Sequence, residues 1–415
     1  MSFRLQVRAL GMIAAIALAA QLAGATDHVV DAQGGPGVHK TISAAMAVAS
    51  PGDRILVRPG TYPGFKVDRS IEVVGLGSAP SSVIVEGIAF HPVHPHSGYR
   101  VRLSRMRLTP ALPSLNSMAL SGNELGTGEL ILDSLVLDGG MALGVWEKGS
   151  MELDLDNCDI RVEKAQGGVV GAAVVVTGPA VHLEVSRTEV HGGVGTLAPL
   201  SPALAALQVD DGTTLRLAQT RLYGGKGAPG QDGAPALIVR NGIVEAIHAG
   251  SLLFGGDGGD KGAGGPAIRA DVPIQVGSAR LAGGSGTPDG GLIEGKGRIQ
   301  TLDPDAPDLR LFVDGSGIGP VAIAKGSVVE WTLSSRLPSV CVSTDAIRVQ
   351  GNPFWPVVSL DPFATLFWSH PAMKWTVPAL PVGLVGLRLH TQGIAFDTAR
   401  RRVLATTPTT LRFDG

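Results

Sequence analysis

Four apolar residues, Leu137, Ile160, Val190 and Leu222, are flanked by groups able to do chemistry. Asp138 follows the first. Asp159 and Arg161 bracket the second, Glu189 and His191 the third, Arg221 and Tyr223 the fourth. If the apolar residue points into a core, period-two alternation turns its neighbours outward. Paired carboxylates serve acid–base work or bind calcium, and an arginine or histidine neutralises or deprotonates an acidic sugar. Neighbouring carboxylates also raise one another's proton affinity, which suits an acid catalyst. The expectation is a polysaccharide groove with Asp159, Arg161, Glu189 and His191 as catalytic residues and Asp138, Arg221 and Tyr223 as substrate contacts. The same pattern also reads as a solvated ladder of opposite charges on an exposed sheet, worth little per pair.

A second constellation is GGDGGDKGAGG at residues 255–265. It matches the first part of a calcium-binding nonapeptide, making Asp257 and Asp260 the candidate metal residues and Ca2+ the candidate cofactor. Gly262 stands where that motif needs a large apolar residue, and no tandem copy follows. The GGxG start recurs at Gly192, Gly224 and Gly283, as a structural turn would, with glycine supplying positive-φ positions. His91, His94 and His96 lie within one short run, but Pro92 and Pro95 deny the helical spacing of a metal pair, so an exposed loop is expected. No GxSxG, HExxH or GxxxxGK[ST] run is present. Cys158 and Cys341 are the only cysteines, which argues against a disulfide framework and a zinc site.

The elements that must hold these residues repeat. Segments at 133–140, 156–163, 186–193, 218–225, 249–256 and 277–284 overlay at steps of roughly 23–32 residues, with a looser copy at 104–111. The fifth position is always apolar: Leu108, Leu137, Ile160, Val190, Leu222, Leu253 and Leu281. An alternating strand precedes each segment, as in Leu130/Leu132, Leu153/Leu155, Leu183/Val185 and Leu215/Leu217. One such coil cannot bury its own apolar residues, so the coils must stack. Ile42, Ala45, Met46 and Ala49 recur at helical spacing with Thr41 at the cap, and Ser50-Pro51-Gly52 stops that helix.

The run TISAAMAVASPGDRILVRPGTY, followed by IEVVGLGS, resembles the N-terminal cap and first coils of the pectin lyase-like, right-handed parallel β-helix superfamily. That resemblance implies a fold and no single reaction, because the superfamily spans lyases, hydrolases, esterases, adhesins and proteins without known activity. The esterase, polygalacturonase and pectate lyase motifs are missing, so no catalytic residue carries over. After about Gln300 the repeat ends. Short strands with intervening turns suggest an antiparallel sandwich. The stretch ALPVGLVGLRLHTQGIAFDTARRRVLATTPTTLRF is similar to a C-terminal module of secreted environmental bacterial proteins.

At the other end, Arg4 and Arg8 precede an apolar run to Leu22, and Ala23-Gly24-Ala25 is a small-residue cleavage site, so residues 1–25 read as a signal peptide with the mature chain beginning near Thr26. Nothing later is long and apolar enough to span a membrane. With 34 Lys and Arg against 36 Asp and Glu there is no basic stripe for nucleic acid. Aromatics at 4 % argue against a sugar site of several stacked rings. The expected protein is all-β: a right-handed parallel β-helix over 26–300 with an N-terminal capping helix at about 40–50, followed by a small antiparallel β-sandwich over 301–415. The expected role is non-catalytic extracellular binding or surface structure, in the secreted, cell-surface or periplasmic space, with a polysaccharide or cell-surface component as partner. The alternative is a polysaccharide lyase or glycoside hydrolase using the outward acidic face.

Overall fold

The computed structural model describes residues 26–90, 99–110, 118–123, 128–139, 141–147, 149–162, 171–197, 200–247, 251–276 and 279–301, and the strands between 308 and 413. The candidate signal segment and the His91–His96 run lie outside the described residues. The fold is all-β, with long parallel sheets and, among the described residues, one α-helix. The chain divides into two compact units, one of them Ala25–Thr301.

In this first unit an eleven-stranded parallel sheet runs in chain order from Asp27–Val30 to Ile299–Thr301. A second parallel sheet has two arms that meet at Val83–Phe90. The first half of that strand pairs with Arg107–Thr109 and its second half with Met118–Asn123. Between the halves sits Gly87, whose φ of 80° lies in the left-handed region that glycine enters without steric cost. Successive strands therefore fall into three columns, and each passage of the chain adds one rung. Neither sheet closes on itself, and the arrangement is compatible with a parallel β-helix.

Leu108, Leu137, Ile160, Val190, Leu222 and Leu253 pair in register up the second column and are fully buried. Leu281 continues the row, partly buried against the core. Leu130, Leu153, Leu183 and Leu215 make the matching row of the first column. Each such side chain contributes about 1.5–3 kcal/mol by leaving water, but only because the next rung covers it. The first rung is covered by the helix Ile42–Val48, which buries Ile42, Ala45 and Met46; Thr41 caps it by accepting a hydrogen bond from the Ala44 amide.

The turn from the first to the second column has a fixed backbone. Arg105, Ser134, Asn157, Arg187 and Gln219 all adopt positive φ, between 48° and 58°. The amides of Arg105, Ser134, Asn157 and Arg187 donate to carbonyls of the next rung, which offsets the cost of a left-handed non-glycine residue. The following positions, Cys158, Thr188, Thr220 and Ser251, point inward and are buried. Thr188 accepts from the Cys158 amide and donates to the Ser186 carbonyl, and Ser251 accepts from the Thr220 amide. Burial pushes the Cys158 thiol well up, leaving it a packing group.

The glycine turns need a correction. Gly192, Gly224, Gly225, Gly255, Gly256, Gly283 and Gly284 do not take positive φ. What they require is close approach. A Cβ on Gly256 would lie 2.0 Å from the Gly225 carbonyl oxygen, and one on Gly284 2.0 Å from that of Gly256. Their amides donate from rung to rung, Gly192 to Tyr223, Gly224 to Phe254 and Gly255 to Ala282.

The strands of the C-terminal part form a four-stranded antiparallel sheet, Ser316–Gly317, Asp308–Val313, Val328–Ser334 and Ala372–Thr376. A six-stranded sheet is built around Arg388–Asp397, with one parallel pair, Val321–Ile323 against Thr409–Phe413.

Candidate functional site

The chemistry-bearing residues of the second column do converge. Asp159 pairs in register with Glu189, and Glu189 with Arg221. Asp138 pairs with Arg161, Arg161 with His191, and His191 with Tyr223. They form two parallel rows on the outward side of short three-residue strands, because the buried residue between them fixes the alternation.

Each acid in these rows is held by a cation. Arg161 Nε donates to Asp159 at 2.7 Å, Arg107 Nε to Asp138 at 2.7 Å, and Arg221 to Glu189 at 3.3 Å, while His191 Nε2 lies 2.7 Å from the other Glu189 oxygen. The side chains remain substantially exposed, 54 % for Arg161 and 57 % for Arg221. Burial pushes the Glu189 carboxyl up, but its hydrogen bonds to His191 and Arg221 outweigh that and hold it below the usual range. The expected mutual raising of carboxylate proton affinity is therefore not what governs Glu189. Each acid is paired with a partner from its own or the adjacent rung, and an acid held ionised is a poor proton donor. Asp159 in turn raises the proton affinity of Arg161 by hydrogen bonding.

The second row continues as a ladder of rings. His191 and Tyr223 stack with centroids 4.7 Å apart and planes 16° apart, and Tyr223 and Phe254 at 5.7 Å and 11°. Arg280 covers Phe254 at 5.6 Å. The low aromatic content thus does not prevent a stack of rings, because rung spacing brings together residues that are distant in sequence. Ring faces are consumed by ring neighbours, so the ladder turns edges to solvent and offers no broad face to a sugar. Phe254 was legible: it holds the place in AGSLLFGG that Tyr223 holds in AQTRLYGG.

Asp257 and Asp260 sit in the glycine turns. Asp257 Oδ1 accepts from the Ser285 amide at 2.9 Å and the Ser285 hydroxyl at 2.6 Å, and these bonds lower its pKa. Asp232 does the same one rung earlier, accepting from the Ala263 amide at 2.8 Å. At Asp260 the backbone carbonyl accepts from Gly230. Among the described residues no group of three or more His, Cys, Asp and Glu side chains is placed to hold a metal ion.

The sequence reading passed over a group on the third column. Gln208 is 6 % exposed and donates through Nε2 to Asp210 Oδ2, yet Gln208 Oε1 and Asp210 Oδ1 are buried without hydrogen-bond partners. Burial raises the Asp210 carboxyl against the lowering effect of Gln208 and Arg240. Val175 and Ile238 flank Gln208 in register, and Trp146 packs against the same apolar patch. The signal was faint, because AAVVVT on the preceding rung is apolar up to Thr177 and hides which side faces out.

No family model matches the chain, and no curated protein matches it. Among solved structures, a crystal structure of Escherichia coli YbhC aligns with 55 % of this chain and 73 % of its own, at 15 % identity and a TM-score of 0.28. A likeness that weak carries no argument about fold or activity.

Proposed function

We propose that the chain is an exported, non-catalytic scaffold: a right-handed parallel β-helix followed by a small β-sandwich, acting outside the cytoplasm toward a polysaccharide or cell-surface component. Right-handedness follows from the near-universal hand of parallel crossovers. The observation that carries the non-catalytic reading is the pairing of Asp138, Asp159 and Glu189 with Arg107, Arg161, His191 and Arg221. Acids neutralised on a half-exposed sheet stabilise a ladder and leave no proton donor poised at a bond. The test is incubation with pectins, alginate and glycosaminoglycans, scoring new reducing ends and unsaturated products, alongside co-sedimentation with the same polymers. The expected result is retention without cleavage. Cleavage that disappears in Asp159→Asn or Arg161→Ala overturns it.

A second reading, a polysaccharide lyase or hydrolase, draws its support from Asp210, whose carboxyl is raised by burial and whose Oδ1, like the neighbouring Gln208 Oε1, is unpartnered. Cleavage surviving Asp159→Asn but lost in Asp210→Asn would select it.

A further inference from the structure

The first described residue of the fold, Thr26, donates its backbone N–H to Asp53 Oδ1 at 2.8 Å. Asp53 is 6 % exposed. Its other oxygen accepts from the Ser50 amide at 2.7 Å and lies 3.0 Å from His28 Nε2. The nearby arginines are engaged elsewhere: Arg54 holds Asp27, and Arg69 holds Asp68 and the Ala49 carbonyl. The buried carboxylate is thus held by two amides and one imidazole, itself 5.8 Å from the His39 ring. A buried acid so placed gains most from a full positive charge.

We infer that Asp53 is a receptor for the α-ammonium group that export processing creates at Thr26. This rests on the reading of residues 1–25 as a signal peptide. The Ala23-Gly24-Ala25 run ends at the bond whose nitrogen already touches Asp53. Hydrolysis adds water across the Ala25–Thr26 amide and breaks its C–N bond. The hydroxyl goes to the Ala25 carbonyl, giving a carboxylate, and the nitrogen becomes an ammonium with two further protons; no electron changes hands. A neutral amide 2.8 Å from Asp53 becomes a cation without moving, in the same site that Thr26 and Arg54 already anchor through the Thr26 carbonyl. Maturation would then lock the first strand onto the second, and a chain still carrying its leader would lack the lock.

The experiment has two arms. Intact mass and N-terminal sequencing of the exported protein identify its first residue. A start other than Thr26 overturns the processing reading itself. Thermal unfolding then compares full-length mature chains beginning at Thr26 or at Ala25, each with Asp53 or with Asp53→Asn. With Asp53 in place, the Ala25 start is expected to melt lower than the Thr26 start by about 2 °C or more. In the Asp53→Asn pair, which lacks the carboxylate, the two starts are expected to melt together. Equal melting with Asp53, or a difference that persists in Asp53→Asn, overturns the lock while leaving processing intact. Should Asp53→Asn fail to fold, pH titration of the Thr26 α-amine by selective labelling decides. It is expected to titrate above the ordinary value of about 8, and titration at or below that value overturns the inference.

Discussion

Arg187 reaches back one rung to grip Asp156 with Nε and Nη2, the first at 3.0 Å, while its own backbone sits in the left-handed turn at φ 48°. Asp156 is 5 % exposed and also accepts from Ser186 Oγ at 2.7 Å. The turn that costs backbone energy thus carries the side chain that satisfies a buried acid. Arg187→Ala should lower unfolding free energy by about 2–3 kcal/mol, since it removes both hydrogen bonds that the guanidinium donates to this buried acid. Urea titration measures it; a change under about 0.5 kcal/mol would show Asp156 solvated from elsewhere.

The glycine turns give a contrast between two alanine substitutions. Gly256→Ala places a methyl 2.0 Å from the Gly225 carbonyl oxygen and must push two rungs apart. Gly230 has open space around its Cβ position and only a φ of 77° to resist alanine. Gly230→Ala should cost about 1–2 kcal/mol, and Gly256→Ala clearly more. Melting temperatures of the two variants rank them, and the reverse order would return positive φ as the reason for glycine here.

Glu189 makes stability fall on the acid side. Its folded pKa lies below the unfolded one, so its contribution is complete above the unfolded value of about 4.3 and fades as pH drops through the folded value. Glu189→Gln should therefore lose stability at neutral pH and converge with the parent in strong acid. Melting curves from pH 7 to pH 3 test this, and a constant gap across that range would contradict it.

Chelation should leave the melting temperature unchanged, because Asp257 already spends Oδ1 on Ser285. Ser285→Ala should cost about 1 kcal/mol through the lost hydroxyl bond. A drop in melting temperature with EDTA that calcium reverses would restore the metal reading of Asp257 and Asp260.

The rungs were legible in the sequence because their signal is chemical and periodic. Leu137, Ile160 and Val190 each stand between polar neighbours, and the structure buries them in one row. The charged residues beside them could be placed on one face for the same reason. Their pairing could not, because period-two logic fixes a face and says nothing of which cation reaches which acid. The left-handed turn was hidden since Arg105, Ser134, Asn157, Arg187 and Gln219 share a conformation and no side-chain chemistry. Glycine misled in the opposite way. Positive φ and close approach select the same residue, and only backbone geometry separates them. Gln208 and Asp210 escaped notice because the neighbouring rung lacks the alternation that exposes an outward position.

The stacked glycine turns have a consequence for how the chain meets other molecules. Written out, residues 255–265 look like a spacer that any protease could thread and any solvent proton could reach. In the fold, the amides of Gly255, Gly256, Gly258, Gly259, Gly262, Gly264 and Gly265 all donate to backbone carbonyls. A cleft that must draw out an extended backbone finds these amides already engaged, and deuterium finds few amides to enter. The most linker-like stretch of the sequence becomes a hardened seam, and its slow isotope exchange would be the mark of an intact stack.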